Sequence, residues 1–144
     1  LQIAIENHCD TYADEVIWLL KQLNHPKIGA CLDTINSFVV MEGPEACVEK
    51  MAPYATCCHF CDNKIVVDPD GTHSIGTAIG QGDIDCVRVM KTLREQAPLD
   101  RITFEVEYEI GKDSLEVARE KEIKACRESI EYLRNVLKVG VRGR

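Results

Sequence analysis

Leu1-Gln2-Ile3-Ala4-Ile5-Glu6-Asn7-His8, the run Ala13 to Leu23 and Lys27-Ile28-Gly29-Ala30-Cys31-Leu32-Asp33 together decide the fold. The first stretch is a short apolar strand. The second places Ala13, Val16, Ile17, Leu19, Leu20 and Leu23 at helical spacing. Asp10-Thr11 offers that helix a cap, and His25-Pro26 closes it. The third stretch is a second strand. Strand, helix, strand in this order is the pattern of a parallel sheet.

The unit recurs. Gly43-Pro44 opens a short helix through Met51, ended by Pro53, and Thr56 to Cys61 forms a third strand. Asp62 to Gly82 contains Pro69, Gly71, Gly76, Gly80 and Gly82, and reads as a long loop with no regular element. Asp83 then caps a helix carrying Cys86, Val87, Val89, Met90 and Leu93, and Pro98 ends the connection. Arg101 to Tyr108 is a fourth strand that alternates Ile102, Phe104 and Val106 with Thr103, Glu105 and Glu107. A last helix from Ser114 to Leu137 sets Val117, Ile123, Ile130, Leu133 and Leu137 beside its charged faces. The reading is α/β: four strand–helix units, with residues 1–144 one globular unit and no linker.

Composition narrows the classes of function. With 144 residues, 45% apolar and 28% charged, the chain can bury one core. A net charge of −7 and a pI near 5.1 oppose a phosphate backbone, since the only basic end is Arg142-Gly143-Arg144. The longest apolar run, Ile35 to Met41, is too short for a bilayer, and no basic n-region opens the chain. Neither nucleic acid nor membrane is therefore expected as a partner. The eight cysteines are scattered, which points to reduced thiols and a cytoplasmic setting. Cys58-His59-Phe60-Cys61 has C-x-x-C spacing, but no second pair follows to complete a zinc knuckle.

Each strand ends on a residue able to bind a metal. Strand one ends in Glu6, strand two in Asp33, strand three in His59, and strand four carries Glu105. The period of two sends Ala4, Glu6 and His8 to one face and the two isoleucines to the other. In a parallel α/β barrel, such positions face a common mouth. A single carboxylate at a strand end is as often paired with a neighbouring cation or hydrogen-bonded, but four such groups in register make that reading harder to hold. Three carboxylates and one imidazole suit one hard or borderline divalent ion: Mn²⁺, Mg²⁺, Co²⁺ or Zn²⁺.

Five segments then occur in order: I-E-N-H from Ile5, C-L-D-T-x-N from Cys31, C-H-F-C-D from Cys58, G-Q-G-D-I-D from Gly80 and F-E-V-E from Phe104. In this order they resemble the C-terminal half of the xylose isomerase-like TIM barrels. That superfamily includes sugar isomerases, ketose 3-epimerases, inosose and dehydroshikimate dehydratases, and endonuclease IV. The resemblance implies a (βα)4 half of a TIM barrel, parallel strands five to eight with helices outside, over essentially the whole chain. It implies Glu6, Asp33, His59 and Glu105 as metal ligands, with Glu6 and Glu105 also exchanging the substrate proton through a metal-stabilised enediolate. His8, Asn36, Asp62 and His73 are the expected substrate-binding residues: Asp62 matches the acidic residue of the family's H-x-K-D stretch, His8 shares the face of Glu6 and serves equally as a group orienting it, and His73 lies in the glycine-bearing loop, where an exposed loop histidine is the more common case. Cys61 stands where the family commonly has lysine. Asn36 stands where the nuclease branch requires a zinc-binding histidine, which argues against that branch.

The resemblance implies an isomerase or epimerase of a small sugar or keto-polyol. A dehydratase or decarboxylase of a keto-sugar acid is the alternative, and a silent half-barrel used for assembly is a third. A full barrel needs eight strands and roughly 250 residues, so four strands leave open edges. The expected partners are therefore a carbohydrate-type substrate and either another copy of the chain or a missing N-terminal half-barrel.

Overall fold

The computed structural model describes residues 1–99, 101–107 and 113–140. Its elements are β1 (Ile3–Glu6), α1 (Ala13–Leu23), β2 (Ile28–Asp33), α2 (Pro44–Met51), β3 (Ala55–Phe60), β4 (Asn63–Asp68), β5 (Gly71–Gly76), α3 (Cys86–Gln96), β6 (Thr103–Phe104) and α4 (Leu115–Asn135). They fall into two compact units, one of Leu1–Phe60 with Arg88–Glu105, the other of Cys61–Val87 with the residues from Val106 onward.

In the first unit β1, β2, β3 and β6 form one sheet in that order, every pair parallel. The strand–helix alternation therefore builds the expected parallel sheet. Leu32, Cys58 and Phe60 are fully buried on one side of the strands, and the Phe60 and Phe104 rings meet at 5.4 Å and 53°. α1 and α2 pack on β2 and on each other. α1 buries Ala13, Val16, Ile17 and Leu20, while Leu19 and Leu23 are exposed. Its start differs from the expected Asp10-Thr11 cap: Glu15 reaches back to accept from the Tyr12 amide at 2.9 Å, and Glu42 accepts from Ala13 at 2.9 Å. A glutamate three residues into the helix satisfies an orphan amide as well as a cap before it does.

The ladder of β2 with β3 is irregular. Ala30 pairs with Ala55, but Cys31 pairs with Cys57, so Thr56 is an extra residue on β3. The bulged Thr56 side chain occupies the space that a Cβ on Gly29 would fill, with its Oγ1 only 2.7 Å from that position. From the bulge onward Leu32 lies beside Cys58 and Asp33 beside His59.

The second unit corrects the loop expected from Asp62 to Gly82. β4 and β5 form an antiparallel hairpin pairing Asn63 with Gly76 through Asp68 with Gly71. Asp68 Oδ1 accepts from the amides of Asp70 at 2.8 Å and Gly71 at 3.1 Å, which closes the turn, and Gly71 has φ +137°. The Asp70-Gly71 turn between Ile- and Val-rich flanks is a hairpin signal that the density of glycines obscured. α4 is capped by Ser114, whose hydroxyl accepts from Val117 N. Its buried stripe is Ala118, Ala125, Ser129 and Leu133, and Val117, Ile123 and Ile130 are exposed instead. The fourth strand is shorter than expected, with Thr103 and Phe104 alone in the ladder, and Tyr108 and the basic tail Arg142 to Arg144 lie outside the described residues. All eight cysteines are unbridged, and among the described residues no helix is long and apolar enough to cross a membrane.

Candidate metal centre

Parallel pairing sets the C-terminal ends of β1, β2, β3 and β6 side by side, with neighbouring strands about 4.8 Å apart. Asp33 is the register partner of His59, which is the partner of Thr103; Glu105 follows β6 and donates its amide to the Phe60 carbonyl at 3.1 Å. Period-two alternation then brings Glu6, Asp33, His59 and Glu105 to the same face. His59 Nδ1 lies 3.5 Å from Glu6 Oε1 and 3.7 Å from Glu105 Oε1. Glu6, Asp33 and His59 each put a donor atom within 4.8 Å of the other two. Three carboxylates around one imidazole repel one another unless a cation joins them. Their oxygen and nitrogen donors fit a divalent ion after small side-chain adjustments.

Two asparagines hold this cluster in place. Asn7, 1% exposed, accepts from the Asp33 amide through Oδ1 at 2.8 Å and donates Nδ2 to the Asp33 carbonyl at 3.0 Å. Its amide side chain thus pairs with β2 as a further strand residue would. Asp33 Oδ1 accepts from the Ile35 and Asn36 amides at 2.8 and 2.9 Å, so the turn after β2 orients the carboxylate. Asn36 Nδ2 donates to Glu6 Oε1 at 3.3 Å, and Asn36 Oδ1 accepts from Cys9 Sγ at 3.0 Å. The sequence sets Asn7 at the end of the first strand, and only the partner strand shows what it binds. Asn36 was expected to touch substrate, and the structure places it on Glu6.

Cys31 and Cys57 lie one pair further back on the same face, and with His59 they form another group of donors within 4.8 Å. Burial pushes the Cys31 thiol well above its ordinary range, with Cys57, Glu6 and Asp33 adding to the effect.

The other expected substrate contacts are His8, Asp62 and His73. His8 is exposed just beyond β1, and its carbonyl accepts from the Thr11 amide at 3.2 Å. Asp62 and His73 belong to the second unit. Asp62 is 2% exposed; its carboxylate accepts from the amides of Gly80 at 2.8 Å, Gly82 at 2.9 Å and Ile84 at 3.3 Å. A Cβ on Gly82 would collide with that carboxylate, which explains the G-Q-G-D spacing. Burial raises the Asp62 pKa, while the Gly82 and Gly80 amides oppose the shift. His73, exposed on β5, pairs with Asp68 at 3.1 Å.

The family profile described as xylose isomerase-like TIM barrel matches residues 1–136. The chain belongs to this family. Within it, a magnesium-bound xylose isomerase-like TIM barrel protein from Mycobacterium smegmatis superposes with a TM-score of 0.62 at 20% identity, over 92% of this chain and 45% of that one. The IOLI protein with a bound zinc atom superposes at 0.66 and 17% identity, over 99% of this chain and 51% of that one. In sequence, the uncharacterized protein YihM of Escherichia coli strain K12 is 31% identical over 84 residues, 58% of this chain and 26% of that protein. The chain thus spans about half the length of these solved structures and about a quarter of the curated relative. The four-stranded parallel sheet is a partial barrel of this fold.

Proposed function

We propose that the chain carries the metal-binding half of a divalent-metal-dependent sugar isomerase or epimerase, with Glu6, Asp33, His59 and Glu105 as ligands. The observation that supports this reading is the approach of both glutamates to one imidazole nitrogen, at 3.5 and 3.7 Å, with Asp33 beside them. Mn²⁺, Mg²⁺, Co²⁺ and Zn²⁺ all suit this donor set, and the magnesium and zinc of the two solved relatives agree with that range. When bound, such an ion polarises a substrate carbonyl and its neighbouring hydroxyl and so acidifies the C–H between them.

Glu6 and Glu105 stand on the two outer strands of the sheet, β1 and the segment after β6. One carboxylate takes the proton from the substrate carbon, and the other returns it to the opposite face. Asn36 holds Glu6 by its Nδ2 and limits the directions in which that carboxylate can move. Asp33, fixed by Asn7 and by the turn amides, has the least freedom of the four and serves as a ligand alone. His8 is the substrate contact retained in this reading, whereas the bonds already made by Asn36, Asp62 and His73 account for those three as supports of Glu6, loop and hairpin.

The test has two arms. Calorimetry with Mn²⁺ should show binding by the wild-type chain and a loss of at least about tenfold in Glu6→Gln; equal binding by both would refute the ligand set. Keto-sugars incubated with the protein in deuterated water should exchange hydrogen for deuterium at the carbon next to the carbonyl without releasing water or carbon dioxide. Release of water or carbon dioxide would move the chain to the lyase alternative.

A further inference from the structure

The bulge at Thr56 does more than align Asp33 with His59, because it also sets Cys57 directly beside Cys31. A ladder without it would put Thr56 there. Cys31, 5% exposed, and Cys57 thus stand on the same face as Asp33 and His59, one two-residue step towards the strand starts. Glu6 is the register partner of Cys31, and its carboxylate is 3.5 Å from His59 Nδ1. Cys58, the cysteine of the C-x-x-C spacing, has the opposite parity and is fully buried, so it takes no part.

We propose that Cys31, Cys57 and His59 form a second, thiolate-rich site that takes a thiophilic divalent ion, Zn²⁺ or Cd²⁺, in competition with the oxygen-held ion. The sulfurs and a ring nitrogen lie within 4.8 Å of one another, which small rotamer changes close to a tetrahedral set with Glu6 or water as the fourth ligand. Thiolates select Zn²⁺ and Cd²⁺ over Mn²⁺ and Mg²⁺, so the two donor sets sort ions by softness. As the sulfur–metal bonds form, both thiol protons leave to solvent, and no electron is transferred. His59 belongs to both sets. A neutral imidazole lends one lone pair, so occupation of one site takes that ligand from the other. Binding of a soft ion would therefore switch off the oxygen-ligated centre.

X-ray absorption at the zinc edge on the full chain, with one equivalent of Zn²⁺ in reducing buffer, should show two sulfur neighbours at about 2.3 Å. A shell of oxygen and nitrogen alone would overturn the site without recourse to any variant. Cys57→Ser should reduce the shell from two sulfur neighbours to at most one and cost at least about tenfold in Zn²⁺ affinity, with Mn²⁺ affinity kept within about twofold. Two sulfur neighbours that survive Cys57→Ser would assign the ion to other cysteines and sink the proposal. Mn²⁺ release, followed by electron paramagnetic resonance as Cd²⁺ is added, tests the shared ligand: release in step with thiolate-to-cadmium absorbance is expected, and Mn²⁺ retained beside sulfur-bound Cd²⁺ would refute it. The competition rests on the proposed function. A chain that binds no Mn²⁺ yet shows the two-sulfur shell would keep the thiolate site and remove the oxygen-held one.

Discussion

At the scale of single residues, the centre depends on side chains that bind other side chains' backbones as much as on its ligands. Asn7 satisfies both the amide and the carbonyl of Asp33 in a buried position. Asn7→Ala removes these two buried bonds, and the expected destabilisation is about 1–3 kcal/mol, measured by denaturant unfolding. Asn7→Ala should also weaken Mn²⁺ binding, because Asp33 loses its anchor. Asn36→Ala acts differently: it frees Glu6 and opens no buried hole, so Mn²⁺ affinity should fall by about tenfold in calorimetry while unfolding stays near wild type. A large loss of stability in Asn36→Ala would show that its bonds to Glu6 and Cys9 hold the fold rather than the site.

At the scale of elements, the bulge between β2 and β3 and the turn between β4 and β5 each lead to a prediction. Gly29→Ala forces a methyl group into the bulged Thr56 side chain, and overpacking of this kind costs about 1–3 kcal/mol. Thr56→Ser removes the Cγ2 atom that meets the new methyl first, so the double variant should recover part of that loss in a double-mutant cycle. Full additivity of the two changes would place the bulge elsewhere. In the hairpin, the Asp70 amide is the chief cause that lowers the pKa of Asp68, with His73 helping. A carboxylate lowered in the folded state contributes stability above its unfolded pKa and loses it as pH falls through the folded one. Amide protection in β4 and β5, taken relative to intrinsic exchange rates, should therefore fall as Asp68 is protonated at acid pH, and Asp68→Asn should remove that loss.

At the scale of the whole molecule, ligand binding and open edges set the expectations. Mn²⁺ at one hundred times its dissociation constant should stabilise the folded chain by about 2.7 kcal/mol, read as a rise of several degrees in the thermal midpoint that a chelator reverses. Glu6→Gln should show little of that rise. Among the described residues β1 and β6 are the sheet's outer strands, Ile3 is 57% exposed on β1, and Trp18 is 63% exposed on the adjacent α1. Parallel strands with an uncovered edge associate. Light scattering should find the chain as an assembly, and a monodisperse monomer would refute the edge-pairing expectation.

The fold class and the four candidate ligands were legible in the sequence because they depend on local periodicity. Apolar runs, helix stops and a polar residue at each strand end are properties of neighbouring positions, and the strand–helix order of the first unit follows from them. The hairpin of β4 and β5 carried an Asp70-Gly71 signal as well, but a crowd of glycines hid it. Tertiary structure alone decided three things. The extra residue at Thr56 shifts every later pair of β2 and β3, and a register is a relation between distant strands that no single segment records. The parts played by Asn7 and Asn36 depend on what lies across the sheet from them. The pairing of Cys31 with Cys57 joins thiols 26 residues apart on two strands, and the oxygen-rich and sulfur-rich donor sets meet at His59 only because the bulge brings them to one face.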